Sequence, residues 1–358
     1  MQRSRVERRN LNAVTIDDVA ALAGVSIMSV SRVLNKKPGV SAETRTRIED
    51  AIRTLNYVPS TAARGLASAI TCRIGLLYMR PEGAYMSAFL AGVLDEIGQW
   101  SGTLSTRRCD DITEARACIE SLLTEGVDGV ILAPPFCDME PLRRCLLDAG
   151  RAVVAVGVVE PVSDVHCVGI DEYSATQDMT RYLLSQGHRR IGFIIGDPGQ
   201  TGKSLRFEGF RDELAKALLQ PAAVETGDYS FKSGIGAAQR MLARPAERPT
   251  AIFAGNDDMA SATVSVAHSL GLRVPEDLSV VGFDNTLLAS ATWPELTTVS
   301  QPISAMASTA VQTMVKAVLA GRFDRNTSPM TITMDVEIVV RSSVASVAGS
   351  TSMAGLET

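Results

Sequence analysis

At 358 residues the chain exceeds one ordinary domain and can bury a large core beside a smaller unit. Its net charge of −5 is unevenly placed: residues 1–64 hold eleven Lys or Arg against six Asp or Glu, a net of +5, which leaves −10 for the remainder. A basic head on an acidic body suits a phosphate-contacting unit joined to one that stays off nucleic acid.

In chain order, residues 1–13, with Arg3, Arg5, Arg8 and Arg9, read as a disordered basic arm. Thr15 then suits the start of a first helix, with Asp18 three residues on in capping-box spacing. Ile16, Val19, Ala20 and Ala23 form one apolar stripe, and Gly24 breaks the helix. Ser26 opens a second helix whose Val30, Val33 and Leu34 face inward. Ile27, Met28, Ser31 and Arg32 are left on its outer face. Ser41 caps a third helix with Ile48, Ile52 and Leu55 as its buried stripe. Two helices across a tight turn form a helix-turn-helix, whose second helix enters the major groove of DNA. Arg32 can reach guanine or phosphate. An apolar pair such as Ile27 and Met28 is costly on an exposed face unless covered, and it can pack on thymine methyls. Ser26, Ser31, Asn35, Ser41 and Thr44 are candidate phosphate ligands, helped by the helix N-termini at Ser26 and Ser41. A small helical subdomain that binds protein is the alternative.

This block, continued by Asn56, Tyr57, Val58, Pro59 and the ARGLAS run at 63–68, resembles the headpiece of the LacI/GalR family of bacterial repressors. The resemblance implies a DNA-binding domain over 14–59, with Thr15 and Tyr57 among its contacts. It implies a hinge helix and linker over 60–72 that orders only when two copies meet in the minor groove of a palindromic operator. Leu66 would be the wedge between base steps, and Ala62 and Ala63 would allow close helix approach. Gly65 lowers intrinsic helicity by about 1 kcal/mol relative to alanine, as suits a helix present only in the complex. Some family members carry a polar pair in place of Ile27 and Met28, so their operators do not transfer.

From Arg73 onward apolar runs at 74–78, 129–132, 152–157, 190–196, 251–255 and 278–283 alternate with amphipathic stretches at 86–98, 114–124, 174–186, 205–219, 233–243 and 258–270. Uniformly apolar strands separated by helices indicate an α/β fold of parallel sheets covered on both faces. Their ligands bind beyond the carboxyl ends of the strands. The resemblance adds a two-lobed core of the type I periplasmic-binding-protein kind over 73–342. Lobe one would take about 73–170 and 302–331, and lobe two about 171–300 and 332–341. Residues 343–358 read as a disordered tail without leucine heptads, so a homodimer is expected rather than a tetramer.

GDPGQTGKS at 196–204 invites a phosphate-loop reading, but five residues separate Gly196 from Gly202 where that motif needs four, and Asp197 would repel phosphate. In the resembled family this loop borders an effector cleft. Arg206 would then grip sugar hydroxyls, with Asn256 and Asp284 at strand ends and Tyr229 stacking on the ligand near Phe231. Tyr78, Tyr85 and Ile303 are further cleft candidates. Where several sugar-responsive members carry an acid, this chain has Gly157 and Val158. Ile170 holds the lobe-crossing position, and Asp171 is the candidate for the missing carboxylate. Asp257 and Asp284 could instead cap the helices that follow their strands.

Six cysteines without a CxxC pair and three distant histidines give no metal spacing. Neither a cofactor nor a catalytic set is expected. The basic start lacks an apolar stretch behind it, and no uncharged apolar run reaches membrane length, so a cytoplasmic protein is expected. The reading is a transcriptional repressor controlled by a small carbohydrate or its phosphate. A purine-like corepressor is the alternative within the family. A sugar-transport binding protein and a nucleotide-dependent enzyme are the alternatives outside it.

Overall fold

The structure is a computed structural model that describes residues 16–34, 39–55, 72–79, 83–100, 102–109, 111–160, 162–197, 204–322 and 328–347. The chain divides into two compact units, residues 1–71 and 72–358. The basic arm, Thr15, Asn35, Tyr57, the hinge with Ala63 and Leu66, and most of the C-terminal tail lie outside the described residues.

In the first unit, α1 (Ile16–Ala23), α2 (Ile27–Leu34) and α3 (Ala42–Thr54) pack around Val19, Ala20, Ala23, Val30, Val33, Ile48 and Ala51. Gly24 ends α1 at φ +64°, and the Val25 N–H donates to Ala20 O at 3.0 Å. This left-handed glycine is what makes the turn tight. Ser41 caps α3 by accepting from the Thr44 N–H at 3.3 Å, and its hydroxyl donates to Thr44 Oγ1 at 2.9 Å. Ile52 and Leu55 are only partly buried against this core, whereas Ala51, which the sequence did not single out, is buried within it.

The second unit holds two sheets. β1 (Arg73–Tyr78), β2 (Thr103–Arg108), β3 (Gly129–Leu132), β4 (Ala152–Val156) and β5 (His166–Ile170) belong to the first. β6 (Ile191–Ile195), β7 (Ala223–Thr226), β8 (Ala251–Ala254), β9 (Ser279–Asp284) and β10 (Thr297–Ser300) belong to the second. The chain then gives β11 (Thr331–Met334) to the first sheet and β12 (Glu337–Val339) to the second. The orders are β11-β5-β4-β3-β1-β2 and β12-β10-β9-β8-β6-β7, parallel throughout except for β12. β11 pairs with β5 from Thr331↔Cys167 to Met334↔Ile170, so the return to the second lobe follows Met334 and not residue 331.

Helices cover both faces of each sheet, which is why the central strands are wholly apolar. On the first sheet α4 (Ala84–Gln99) and α12 (Ile303–Arg322) cover one face, while α5 (Ala115–Thr124) and α6 (Glu140–Asp148) cover the other. Gly92 lets α12 approach α4: a Cβ there would stand 2.8 Å from that of Ala307. On the second sheet α7 (Glu172–Ser185) and α8 (Leu205–Lys216) lie opposite α9 (Phe231–Leu242) and α10 (Asp257–Ser269). Phe193, Phe210 and Phe253 interlock under α8, with ring centroids 4.8 and 5.2 Å from Phe193. A short α11 (Leu287–Ala291) follows β9. α12 is long and apolar enough to cross a membrane, yet Met306, Ala310, Val311 and Met314 are buried against the first sheet, so it is a core helix. All six cysteines are free thiols.

Candidate functional site

On the first unit, Ile27 is 48% and Met28 66% exposed, and Arg32 stands exposed further along α2. The core of this unit needs none of the three, as their outward phase on the helix dictates. Gly39, at φ +103°, leaves room for the Arg32 guanidinium beside it. A Cβ there would stand 3.2 Å from Arg32 Nη1. Ser26 Oγ accepts from the Ser29 N–H at 3.3 Å, so this candidate, like Ser41, is already engaged in holding a helix start. The Ser31 side chain lies outside the described residues, although its backbone continues α2.

On the second unit, a cavity of about 430 Å³ opens where the carboxyl ends of the two sheets meet. Its size is that of a small-molecule site. Tyr85, Ile170, Arg206, Tyr229, Asn256 and Asp284 all line it, as expected. Arg206 is the centre. Its Nε and Nη2 donate to Glu172 Oε1 at 3.1 and 2.5 Å, and Nη1 donates to Gly255 O at 2.5 Å and Asp284 Oδ1 at 3.4 Å. The guanidinium lies 3.8 Å from the Phe283 ring centroid, a cation–π stack. Gln301 Nε2 donates to Asp284 Oδ1 at 2.5 Å. Burial drives the Asp284 carboxyl well above its ordinary range, although Arg206 pulls it down. Burial likewise pushes the Tyr229 hydroxyl up to about 12, and it raises that of Tyr85, with Asp284 adding to the effect.

Tyr229 and Asp284 both sit at positive φ, +69° and +112°, in the left-handed region that L residues rarely occupy. Such strain persists only where surrounding contacts fix it, and it concentrates at functional sites. Asn256 Nδ2 donates to Tyr229 O at 2.9 Å, and Oδ1 accepts from the Met259 N–H at 3.0 Å. Asn256 therefore caps α10 and holds the Tyr229 backbone, although it reaches the cavity wall.

Three expected cleft residues are placed elsewhere. Asp171 is the exposed N-cap of α7, accepting from the Ser174 N–H at 3.0 Å, and its neighbour Glu172 faces Arg206. Tyr78 ends β1 and packs at the edge of the first core. Ile303 opens α12 and is buried in that core, while Met306, one turn on, reaches the cavity. Nor do the two aspartates cap helices: Asn256 caps α10 and Thr286 precedes α11.

Asp257 has a structural task beneath the site. Its Oδ1 accepts from Thr298 Oγ1 at 2.7 Å, and Oδ2 accepts from the Thr286 N–H and Oγ1 at 2.7 and 3.1 Å. Burial pushes this carboxyl up to about 6. A raised acid takes up a proton in the folded chain before the unfolded one does, so it weakens folding as pH rises from about 4 to about 6. Asp257→Asn is expected to remove that segment of the stability-versus-pH curve, whose slope is at most about 1.4 kcal/mol per pH unit. Urea unfolding at several pH values checks this; identical slopes for the variant and the wild-type chain would refute it.

Among the lining residues that the sequence did not single out are Glu172, Asp138, Asp258 and Gln301. Asp258 reaches across the sheets to accept from the Ala84 N–H at the start of α4, where Gly83 offers no side chain to cap. A second acid after Asn256 was the one available signal for it.

The family profile described as bacterial regulatory proteins, lacI family, matches residues 15–60, and that of a periplasmic binding protein-like domain matches 180–344. The HTH-type transcriptional repressor PurR of Escherichia coli O139:H28 is 33% identical over 338 residues, 92% of this chain and 97% of that protein. The chain belongs to the LacI family. Catabolite control protein A of Priestia megaterium is 32% identical over 309 residues, 85% of this chain and 92% of its own length. Among solved structures, the lac repressor dimer bound to operator and the anti-inducer ONPF aligns at a TM-score of 0.70 and 27% identity. It covers 93% of this chain and all of that one. The transcriptional regulator CelR in complex with cellobiose aligns at 0.67 and 28%, covering 92% and 99%. This LacI-family chain is thus a DNA-binding transcriptional regulator with a two-lobed ligand-binding core.

Proposed function

We propose that the protein is a homodimeric repressor that reads a palindromic operator with α2, and that a small carbohydrate in the cavity changes its operator affinity. The observation that carries the effector reading is Arg206 held among Glu172, Asp284 and Gln301 beside the Tyr229 ring. Guanidinium, carboxylate and amide groups fixed together suit vicinal hydroxyls, and aromatic faces suit a sugar ring. The cellobiose complex of CelR supports this reading. A purine-like effector is the second reading, favoured by the PurR relative and by the two tyrosine faces, which also suit a planar base.

Leu287 and Trp293, 81% and 79% exposed, give the second unit an apolar surface suited to pairing with another copy. Two-fold pairing is what a palindromic operator requires. The hinge over 60–72, with Ala63 and Leu66, and the contacts assigned to Thr15, Asn35 and Tyr57 remain part of the proposal. It includes no enzymatic role and places the protein in the cytoplasm, where its operator would lie.

The deciding experiment is a thermal-shift screen of sugars and purine bases, followed by operator release with each ligand that raises Tm. A purine base that binds where no sugar does would replace the carbohydrate. On the DNA side, Arg32→Ala is expected to weaken operator binding by about 1–3 kcal/mol and leave binding to unrelated DNA nearly unchanged. A gel-shift titration at fixed salt gives both values, and an equal loss on the two DNAs would make Arg32 a phosphate contact.

A further inference from the structure

The turn that carries Asp284 has a support outside the cavity wall. Asp284 and Asn285 are consecutive left-handed residues, neither of them glycine, at φ +112° and +56°. Asparagine tolerates the second value, whereas the first lies beyond the small left-handed helical region, and such a pair persists only under firm contacts. The Asn285 amide makes two of them. Its Nδ2 donates to Ser300 Oγ at 3.1 Å, and its Oδ1 accepts from Arg341 Nη2 at 2.7 Å. Arginine can only donate, so the amide oxygen has to face Arg341 and the amide nitrogen Ser300. The following N–H, that of Thr286, is fixed by Asp257 Oδ2 at 2.7 Å.

Arg341 is anchored independently of that turn. It lies two residues beyond β12, and its side chain is 17% exposed. Its backbone N–H donates to Thr297 Oγ1 at 2.9 Å, its Nη1 donates to Leu296 O at 2.8 Å, and its Nε stands 3.6 Å from Glu295 Oε2. A planar guanidinium gripped in this way presents its remaining donor in a fixed direction, as a lysine ammonium would not. Asp284 lines the cavity and Arg341 does not. On Asp284 the side-chain donors among the described residues, Arg206 Nη1 and Gln301 Nε2, both meet Oδ1. Where the rest of the carboxylate points is then set by the backbone that bears it.

Resting on the reading of this cavity as the effector site, we propose that Arg341 is a positioning residue for effector binding. It holds the Asn285 amide, the amide holds the left-handed turn, and the turn aims the Asp284 carboxylate at the cavity. Arg341 touches no effector and acts only through Asn285.

A double-variant cycle in the full-length protein tests this. The probe is whichever of glucose, galactose, mannose, cellobiose, adenine and guanine raises Tm most. Arg341→Gln is expected to weaken its binding about tenfold in calorimetric titration, within the range for residues coupled through one hydrogen-bond network. Glycine adopts φ +56° without strain and offers Arg341 no side chain to hold. In an Asn285→Gly background the same Arg341→Gln change should therefore shift affinity by less than about twofold. Hydrogen exchange without ligand gives a second reading: Arg341→Gln should speed exchange across 284–287 and leave that of 252–254 as it was. Arg341→Lys, whose ammonium cannot hold Leu296 O and Asn285 Oδ1 in one plane, repeats the cycle if circular dichroism shows that the Gln variant does not fold. Wild-type affinity in Arg341→Gln, or an equal loss in both backgrounds, overturns the proposal, and so does unchanged exchange across 284–287. If none of the six probes binds the wild-type chain, the effector reading loses its support, and exchange alone decides whether Arg341 holds the turn.

Discussion

Arg206→Ala is expected to abolish the response to effector and to destabilise the second unit by roughly 3–5 kcal/mol, with operator binding retained by the folded fraction. Among the described residues Arg206 is the one cation within hydrogen-bonding reach of both Glu172 and Asp284, and all three crowd a site that Phe283 closes from one side. Removing the guanidinium leaves Asp284, at the end of β9, buried with the Gln301 amide as its one remaining side-chain partner among the described residues. Asp284 must then take up a proton or drag the β9 terminus out of place. The two effects separate in a double variant. Arg206→Met with Asp284→Asn removes cation and anion together, so stability should recover much of the loss while effector response stays absent. Urea unfolding and operator release measure the two quantities. A single variant as stable as wild type would mean that the ion pair contributes nothing to the fold.

Gly196→Ala is expected to cost effector affinity by a factor of about a hundred or more, the effect of a small misplacement at a binding site. Gly196 directly follows β6 and is buried against the Tyr229 ring, so a methyl group there would overlap the ring itself. Tyr229 has little freedom to yield. Its backbone is left-handed, and its carbonyl is held by Asn256. The ring must therefore swing into the cavity and fill the space that a ligand would use. Tyr229→Ala in the Gly196→Ala background should relieve the strain without restoring affinity. Calorimetric titration with whichever sugar binds the wild-type chain decides it, and unchanged affinity in the single variant would show that the ring is no part of the site.

The same glycine shows where sequence reading succeeded for only part of a reason. The GDPGQTGKS segment was rejected as a phosphate loop on spacing, but nothing in the chain indicated that its first glycine makes room for an aromatic ring thirty-three residues later. Central strands such as β3 and β8 were legible because both faces are buried and every residue is apolar. The edge strands β2, β7 and β11 were not, since one face meets solvent and TLSTRR or AVET carries little apolar signal. Within the site, Arg206 and Asp284 stood in motifs, whereas the missing acid was sought one residue early. Asp171 is the better N-cap, and that preference for a helix start turns Glu172 inward. Ile303 failed for a related reason: the helix begins there, so the cavity-facing position falls a turn later at Met306.

Only Asp335 and Val336 separate β11 from β12, so the last strand of the first sheet runs almost directly into the edge strand of the second. Each sheet thereby owns segments from distant parts of the chain, and neither can be completed by a contiguous stretch. Melting one sheet pulls α12 and β11 from its face and edge, and it unthreads the strand that borders β10 in the other. The second unit should therefore unfold as one cooperative body, with a single calorimetric peak whose enthalpy matches the van't Hoff value. Whatever freedom the two halves have to rotate about one another, they share one fate on heating.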